Sequence, residues 1–410
     1  MTNPQVAIVH RGDLSGSPNE YRREDMVQVK GMLKEALDQI GGIPSFVEKG
    51  DRVIIKPNIT YHLPMYEVAW SWVTDPRVIE GLIELIKEGS GPGDIVVAEC
   101  SAFGWDTSTA FRGSGIEDAA VRAGAQVLPL EKDEFREVEI PDGKVLKRVR
   151  LPRSVLEADV FITVPKMKTN IFTEVTLSLK NQQGILLWGD KQKAHRTDID
   201  QKFPDLYKAV KPDLAIVDGI WAVQGQGPAP FRDEYVIRDM NTIVAGRDSV
   251  AVDAVASALM GFDPFEVRTT RIAHQEGLGE ADLRNIEIKG KSIKEVRRIF
   301  RRGDPDPRGV YPNVNVYANG ACKGCLGSIR FLLDLMDGLG ILEERGRLNF
   351  IAGVDASLPE KLEGETYIVG DCAKEHRDKG AYWPGCAPIA TMVQEGERIM
   401  GIDMPKQQQI

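Results

Sequence analysis

Four of the five cysteines fall in the last quarter of the chain. Cys322 and Cys325 form a C-x-x-C in ACKGCLGS, Cys372 closes VGDC, and Cys386 sits in PGCAP. Each has glycine nearby, which lets the backbone approach closely and leaves amides free to point at sulfur. Three chemistries fit. Four thiolates can hold a [4Fe–4S] cluster. They can also hold structural Zn²⁺, although zinc ribbons favour two C-x-x-C knuckles and here thirteen residues separate Cys372 from Cys386. A redox dithiol would use Cys322 and Cys325 and leave the other two unexplained. The expected cofactor is the [4Fe–4S] cluster, with zinc as the alternative. Cys100 stands alone and reads as a small buried apolar residue.

A second group of residues is basic. Between positions 161 and 196 the cations Lys166, Lys168, Lys180, Lys191, Lys193 and Arg196 face only Glu174 and Asp190, in a chain of net charge −9. Local positive charge against that background points to an anionic ligand, a carboxylate or a phosphate. Lys191 and Lys193 read as solvated surface. Lys166, Lys168 and Lys180 flank a strand end and a turn beside Asn170 and Asn181, whose amides can orient a substrate. Lys56 and Asn58 stand together in RVIIKPN. The candidate catalytic residues are Lys168, Lys180 and His195. The candidate substrate-binding residues are Lys56, Asn58, Lys166, Asn170 and Asn181. The other histidines, at 10, 62, 274 and 376, are too scattered to mark a metal site.

These residues need a scaffold, and the apolar pattern supplies one. QVAIVH, RVIIK, DIVVAEC, ADVFITV and DLAIVDGIWAV read as strands, and stretches with helical spacing such as 25–40 and 77–88 lie between them. Strand–loop–helix repetition implies a mostly parallel sheet with helices on both faces. In such sheets the functional loops gather at the carboxyl ends of the strands. That edge would collect Lys56, Asn58, a basic loop at 166–170, and the Gly/Pro turn after 218. RRGDPDPRGVYPN reads as a linker. The expected organisation is a large α/β domain over 1–300, a linker over 301–314 and a smaller α/β domain over 315–410 carrying the four-cysteine site.

At 42% hydrophobic and 28% charged residues, the composition is that of an ordinary globular protein. The acidic balance argues against nucleic-acid binding. No signal peptide or membrane-length apolar run is visible, so a cytoplasmic location without membrane contact is expected. Thiols in that setting are seldom structural disulfides.

In order along the chain stand IIKPN, ADVFITVPKMKTN, SLKNQQG, DGI with GQGP, DSVAVDAVASALMGFDP and EGLGE. This set resembles domain-of-unknown-function family 362 over about residues 5–290. Members often carry an iron–sulfur segment, which implies that role for the C-terminal cysteines. A more distant resemblance is to the nickel-pincer lactate racemases: Ala158, Asp159, Ile162 and Lys180 match a racemase segment in spacing. Thr169 and Asn170 stand where that segment has Pro-His, the Gly-Gly turn is missing, and asparagine does not exchange a proton at neutral pH. The resemblance therefore implies a fold and a pocket, not the nickel cofactor.

The expected function is an iron–sulfur enzyme acting on a small anionic substrate by redox chemistry, served by an electron-transfer protein. A hydro-lyase or isomerase using open iron or a lysine base, an electron-transfer module and a structural zinc protein are the alternatives.

Overall fold

The computed structural model describes residues 3–401 apart from 15, 19, 61–66, 196, 197 and 230; side chains are described for these except at 67, 68, 103, 192–195, 390, 399 and 400. Its main element is an eleven-stranded sheet. The spatial order of its principal strands is Glu287–Gly290, Gln5–His10, Thr242–Gly246, Leu214–Val223, Val160–Thr163, Arg52–Lys56, Asp94–Glu99 and Gln126–Pro129. Along this path only Thr242–Gly246 pairs antiparallel with its neighbours.

The central strands are apolar without interruption because both faces are covered. Alternate side chains serve opposite cores. Val53 and Ile55 join the helices Arg23–Asp38 and Pro76–Gly89 in one core, while Ile54 joins Val96, Phe161, Ile185 and Leu206 in another. On the far side, Val6, Ile8, Ala215 and Val217 pack under the helix Ser249–Leu259. Helix starts are set by acids: Asp75 accepts from Arg77 N at 2.9 Å with Pro76 in the first turn, and Asp248 accepts from Val250 N at 2.8 Å.

The stretch read as a basic loop is a strand. Lys166–Asn170 pairs with the outer half of Leu214–Val223 and with the short strand Glu174–Thr176. All five of its residues are buried. Its polarity hid it, since strand signals rest on apolar alternation. A hairpin, Phe135–Glu139 with Arg148–Pro152, also lay outside the apolar pattern, although Val149 and Leu151 are buried.

Residues 301–313 carry no helix or strand, but they are tied down. Gly225 N donates to the Arg301 carbonyl at 2.7 Å, and Gln226 both donates to and accepts from the Asp304 backbone. Beyond them, four parallel strands, Val314–Tyr317, Leu348–Ala352, Glu365–Val369 and Ala381–Trp383, form a second sheet. Its helices Lys323–Gly338 and Ile389–Met400 pack into the same core as the large sheet. Phe231 marks the junction, with its ring 5.2 Å from Phe331 and 6.1 Å from Trp72. Among the described residues no helix is long and apolar enough to cross a membrane.

Phe231 is 4% exposed and touches both units. Phe231→Ala is expected to cost about 3–5 kcal/mol by cavity formation, read as a lowered midpoint in urea unfolding.

Candidate functional site

The parallel strands end at one edge, and their last residues are polar. Lys56 ends one strand, Glu99 ends its neighbour, and Thr163, the register partner of Lys56, ends the next. A charge at the end of a doubly buried strand must be paired. Lys56 Nζ is 2.7 Å from Glu99 Oε2, 2.8 Å from the Pro57 carbonyl and 3.3 Å from Asn181 Oδ1. Both residues are almost wholly buried. Burial pushes the Lys56 ammonium down and the Glu99 carboxyl up, each opposed by its partner's charge. The proton between them is therefore held less firmly than in an exposed pair.

Asn181 joins this pair to the turn carrying Lys180. Its Nδ2 donates to Thr163 Oγ1 at 2.9 Å, and its Oδ1 accepts from Asn58 Nδ2 at 3.0 Å. The helix Ser178–Asn181 is one turn long and has no local side-chain cap. Asp253, from the distant helix Ser249–Leu259, supplies one by accepting from Ser178 N at 2.7 Å and Leu179 N at 2.9 Å. Burial raises the Asp253 carboxyl to about 7. Gly184 follows this turn. A Cβ there would lie 1.7 Å from Glu99 Oε1 and 2.5 Å from Lys56 Nζ, so only glycine fits.

Above the pair opens a cavity of about 100 Å³, with Lys56, Asn58, Glu99, Asn170, Lys180 and Asn181 among its lining residues. Phe172 and Trp188 wall it from the large unit; Phe331, Ile389 and Met392 close it from the small one. Lys180 is half-buried, with Nζ 5.3 Å from the centre of the Phe203 ring, and has no hydrogen bond or ion pair among the described residues. Burial brings its ammonium down to about 8, and Asp200 opposes that shift. Lys202 stands at the same distance from the same ring and donates to Gln183 Oε1.

The remaining candidates lie elsewhere. Lys166 pairs with Asp218 at 3.0 Å, and both are fully buried. Asp218 also accepts from Asp75 N, tying this pair to the buried Asp75–Arg77 bridge. Lys168 donates to the Trp72 carbonyl at 2.7 Å and does not line the cavity. Burial, then Lys180 and Lys166, push its ammonium well below the usual lysine range. Lys191 is not solvated surface. It is 1% exposed, donates to the Cys100 and Ser101 carbonyls, and lines the cavity. His195 ends the helix Trp188–His195, and its side chain, like that of Lys193, lies outside those described. Arg196 and His62 lie outside the described residues. Sequence reasoning passed over Glu99, Lys202 and Asp253. Glu99 and Asp253 had a signal: a lone acid closing an apolar strand, and another in the apolar helix VAVDAVASAL.

The four clustered cysteines stand at the carboxyl edge of the small sheet. Cys322 caps the helix Lys323–Gly338, Cys372 follows the strand Glu365–Val369, and Cys386 follows Ala381–Trp383. Asp371 Oδ1 accepts from Gly385 N at 2.8 Å, fixing one loop to the other. None of the cysteines is disulfide-bonded. The Cys325 thiol hydrogen-bonds Cys322 and, with the amides of Gly324 and Cys325, brings Cys322 down to about 5. Cys325 is pushed up by that bond, by burial, and by the charges of Cys322, Cys386 and Cys372. Gly370 leaves room for the Cys325 sulfur, since a Cβ there would lie 2.7 Å from it. Converging thiols with glycine clearance and amides aimed at sulfur suit a soft metal centre. Among the described residues no three His, Cys, Asp or Glu side chains are gathered tightly enough to hold a metal ion. A second cavity, about 230 Å³, is lined by Cys322, Lys323 and Cys386 and shares Phe172 and Ile389 with the first.

The model of a domain of unknown function, DUF362, matches residues 53–258. The chain belongs to the DUF362 family. The match is narrower than the span of 5–290 expected from its motifs. It includes Lys56, Glu99, Lys180 and Asp253 but none of the clustered cysteines. A curated relative is the thylakoid-associated protein sll1697 of Synechocystis sp., 29% identical over 255 residues, or 60% of this chain and 74% of that protein. Among solved structures, the lactate racemase apoprotein from Thermoanaerobacterium thermosaccharolyticum aligns with a TM-score of 0.41 and 12% identity over 92% of this chain and 89% of that one. A Thermotoga maritima protein aligns with a TM-score of 0.38 and 10% identity over 91% of this chain and 93% of that one.

Two expectations follow for this DUF362 protein. Lys180 is a cation below about pH 8 and neutral above it. Affinity for a small carboxylate such as acetate should therefore be full at lower pH and fall as pH rises through 8, and Lys180→Met should flatten that profile in calorimetric titration. Gly184→Ala should displace Glu99 and cost about 1–3 kcal/mol of unfolding free energy through overpacking, with carboxylate binding lost.

Proposed function

We propose that this DUF362 protein is an iron–sulfur enzyme that carries out redox chemistry on a small anionic organic substrate. The observation that carries this reading is a shared wall. The cavity lined by Cys322 and Cys386 and the cavity lined by Lys180 and Glu99 both include Phe172 and Ile389. A metal centre at the thiols and a ligand at the lysines would be separated by about one aromatic layer. A [4Fe–4S] cluster on Cys322, Cys325, Cys372 and Cys386 would supply single electrons. Ligation by all four thiolates leaves no open iron position, which favours redox over hydro-lyase chemistry.

The chain's own residues define the substrate side. Lys180 makes no ion pair among the described residues and feels Asp200 only through its charge, which suits it to neutralise an anion. Lys56 and Glu99 hold a proton that can be given or taken at the cavity floor. Asn58 and Asn170 orient the ligand, Asn181 holds Asn58 and Lys56 in place, and Phe172, Trp188 and Phe331 exclude water. Cys322 and Cys372 are exposed, which supports delivery of electrons by a docked protein.

Protein purified without oxygen is expected to be coloured, to contain iron and sulfide, and to lose its visible absorption on adding dithionite. Cys372→Ser should remove the colour. Lys180→Ala should keep it while losing carboxylate binding. Colourless protein carrying zinc would sink the redox reading.

A further inference from the structure

Two asparagines that line the cavity have their amides set in opposite senses, and in each case the orientation is forced. An ammonium has three donors and no acceptor. Lys56 spends its donors on Glu99, the Pro57 carbonyl and Asn181 Oδ1. Asn181 must therefore turn its oxygen towards Lys56, and its NH2 goes to Thr163 Oγ1 and the Lys56 carbonyl. Asn58 then meets an oxygen and has to donate. Its own Oδ1 is left without a partner among the described residues, although Asn58 is 5% exposed and lines the cavity. Asn170 is turned the other way. Its Oδ1 accepts from Phe172 N, Thr173 N and Thr173 Oγ1, which leaves its NH2 for the cavity.

A buried amide oxygen without a donor is costly, and a ligand can remove that cost. We propose that Asn58 Oδ1 is the specificity-determining acceptor of this cavity, and that the ligand is a small acid bearing an O–H or N–H donor besides its anionic group. This rests on the anion-binding reading of the same cavity. The anionic end meets Lys180 and the Asn170 NH2. The donor meets Asn58. An acid lacking the donor leaves Asn58 unpartnered, and a second anionic group would set charge against its oxygen. Thr176, whose Oγ1 is also buried and without a partner among the described residues, lines the same cavity.

The test is calorimetric titration of the full-length protein at neutral pH with butanoate, its 2- and 3-hydroxy derivatives, its 2- and 3-amino derivatives, and succinate. At least one donor-bearing acid should bind about tenfold or more tighter than butanoate and succinate. The hydroxy and amino arms identify which donor is taken. In Asn58→Ala, checked for folding by thermal melting, that preference should shrink to about twofold. Equal binding of butanoate and all its donor-bearing derivatives by the unaltered protein overturns the proposal and leaves the anion reading standing. So does a preference that survives in Asn58→Ala. Binding of none of the acids overturns both. The comparison among ligands on the unaltered protein decides the matter even if the variant does not fold.

Discussion

A buried ammonium can only donate, and that one-sidedness organises the floor of the cavity. Once Lys56 is taken out of water at a strand end, three oxygens have to converge on it, and they come from three separate places in the chain. Each oxygen brings its own constraint. Glu99 has to end the neighbouring strand, Pro57 has to follow Lys56 directly, and Asn181 has to be carried in on a turn with its amide the right way round. The turn is too short to stand alone, so Asp253 caps it from another helix. Gly184 has to lack a side chain because the pair fills the space where one would go. Removing either charge leaves the other buried and alone, at a cost of about 3–5 kcal/mol. Stability and the shape of the cavity floor therefore depend here on the same few atoms.

Much of the scaffold was legible because burial on two faces writes itself as uninterrupted Val, Ile and Ala. RVIIK, DIVVAE and LAIV can hardly be anything but inner strands. What escaped was secondary structure whose residues are polar. KMKTN is a strand because its lysines are satisfied by Asp218 and by the Trp72 carbonyl, partners 52 and 96 positions away. No local pattern reports a partner at that distance. The hairpin over 135–152 buries Val149 and Leu151, but the charges around them mask that alternation.

The site shows the same division. Lys56, Asn58, Asn170, Lys180 and Asn181 were visible as polar residues at strand ends and turns, and the fold gathers them around one cavity. Lys166 and Lys168 have the same sequence signature and share a face of their strand with Asn170, yet Asp218 and the Trp72 carbonyl take them up away from the cavity lining. The cysteines were legible as a set of four, and their loops meet because parallel strands end on one edge. Glu99 and Asp253 were hidden by the apolar company they keep, and Lys191 by its polar company.

The cavity is built from two sources. Its polar floor lies within the DUF362 match at 53–258, whereas Phe331, Ile389 and Met392, which close it, lie outside that match. The polar floor thus comes from one stretch of the polypeptide, and the apolar walls come from both. Exchanging Phe331, Ile389 and Met392 would reshape the cavity while leaving the Lys56–Glu99 pair at its floor intact. In evolutionary terms the two stretches could be exchanged as units by recombination at 301–313, a joint that interrupts neither sheet.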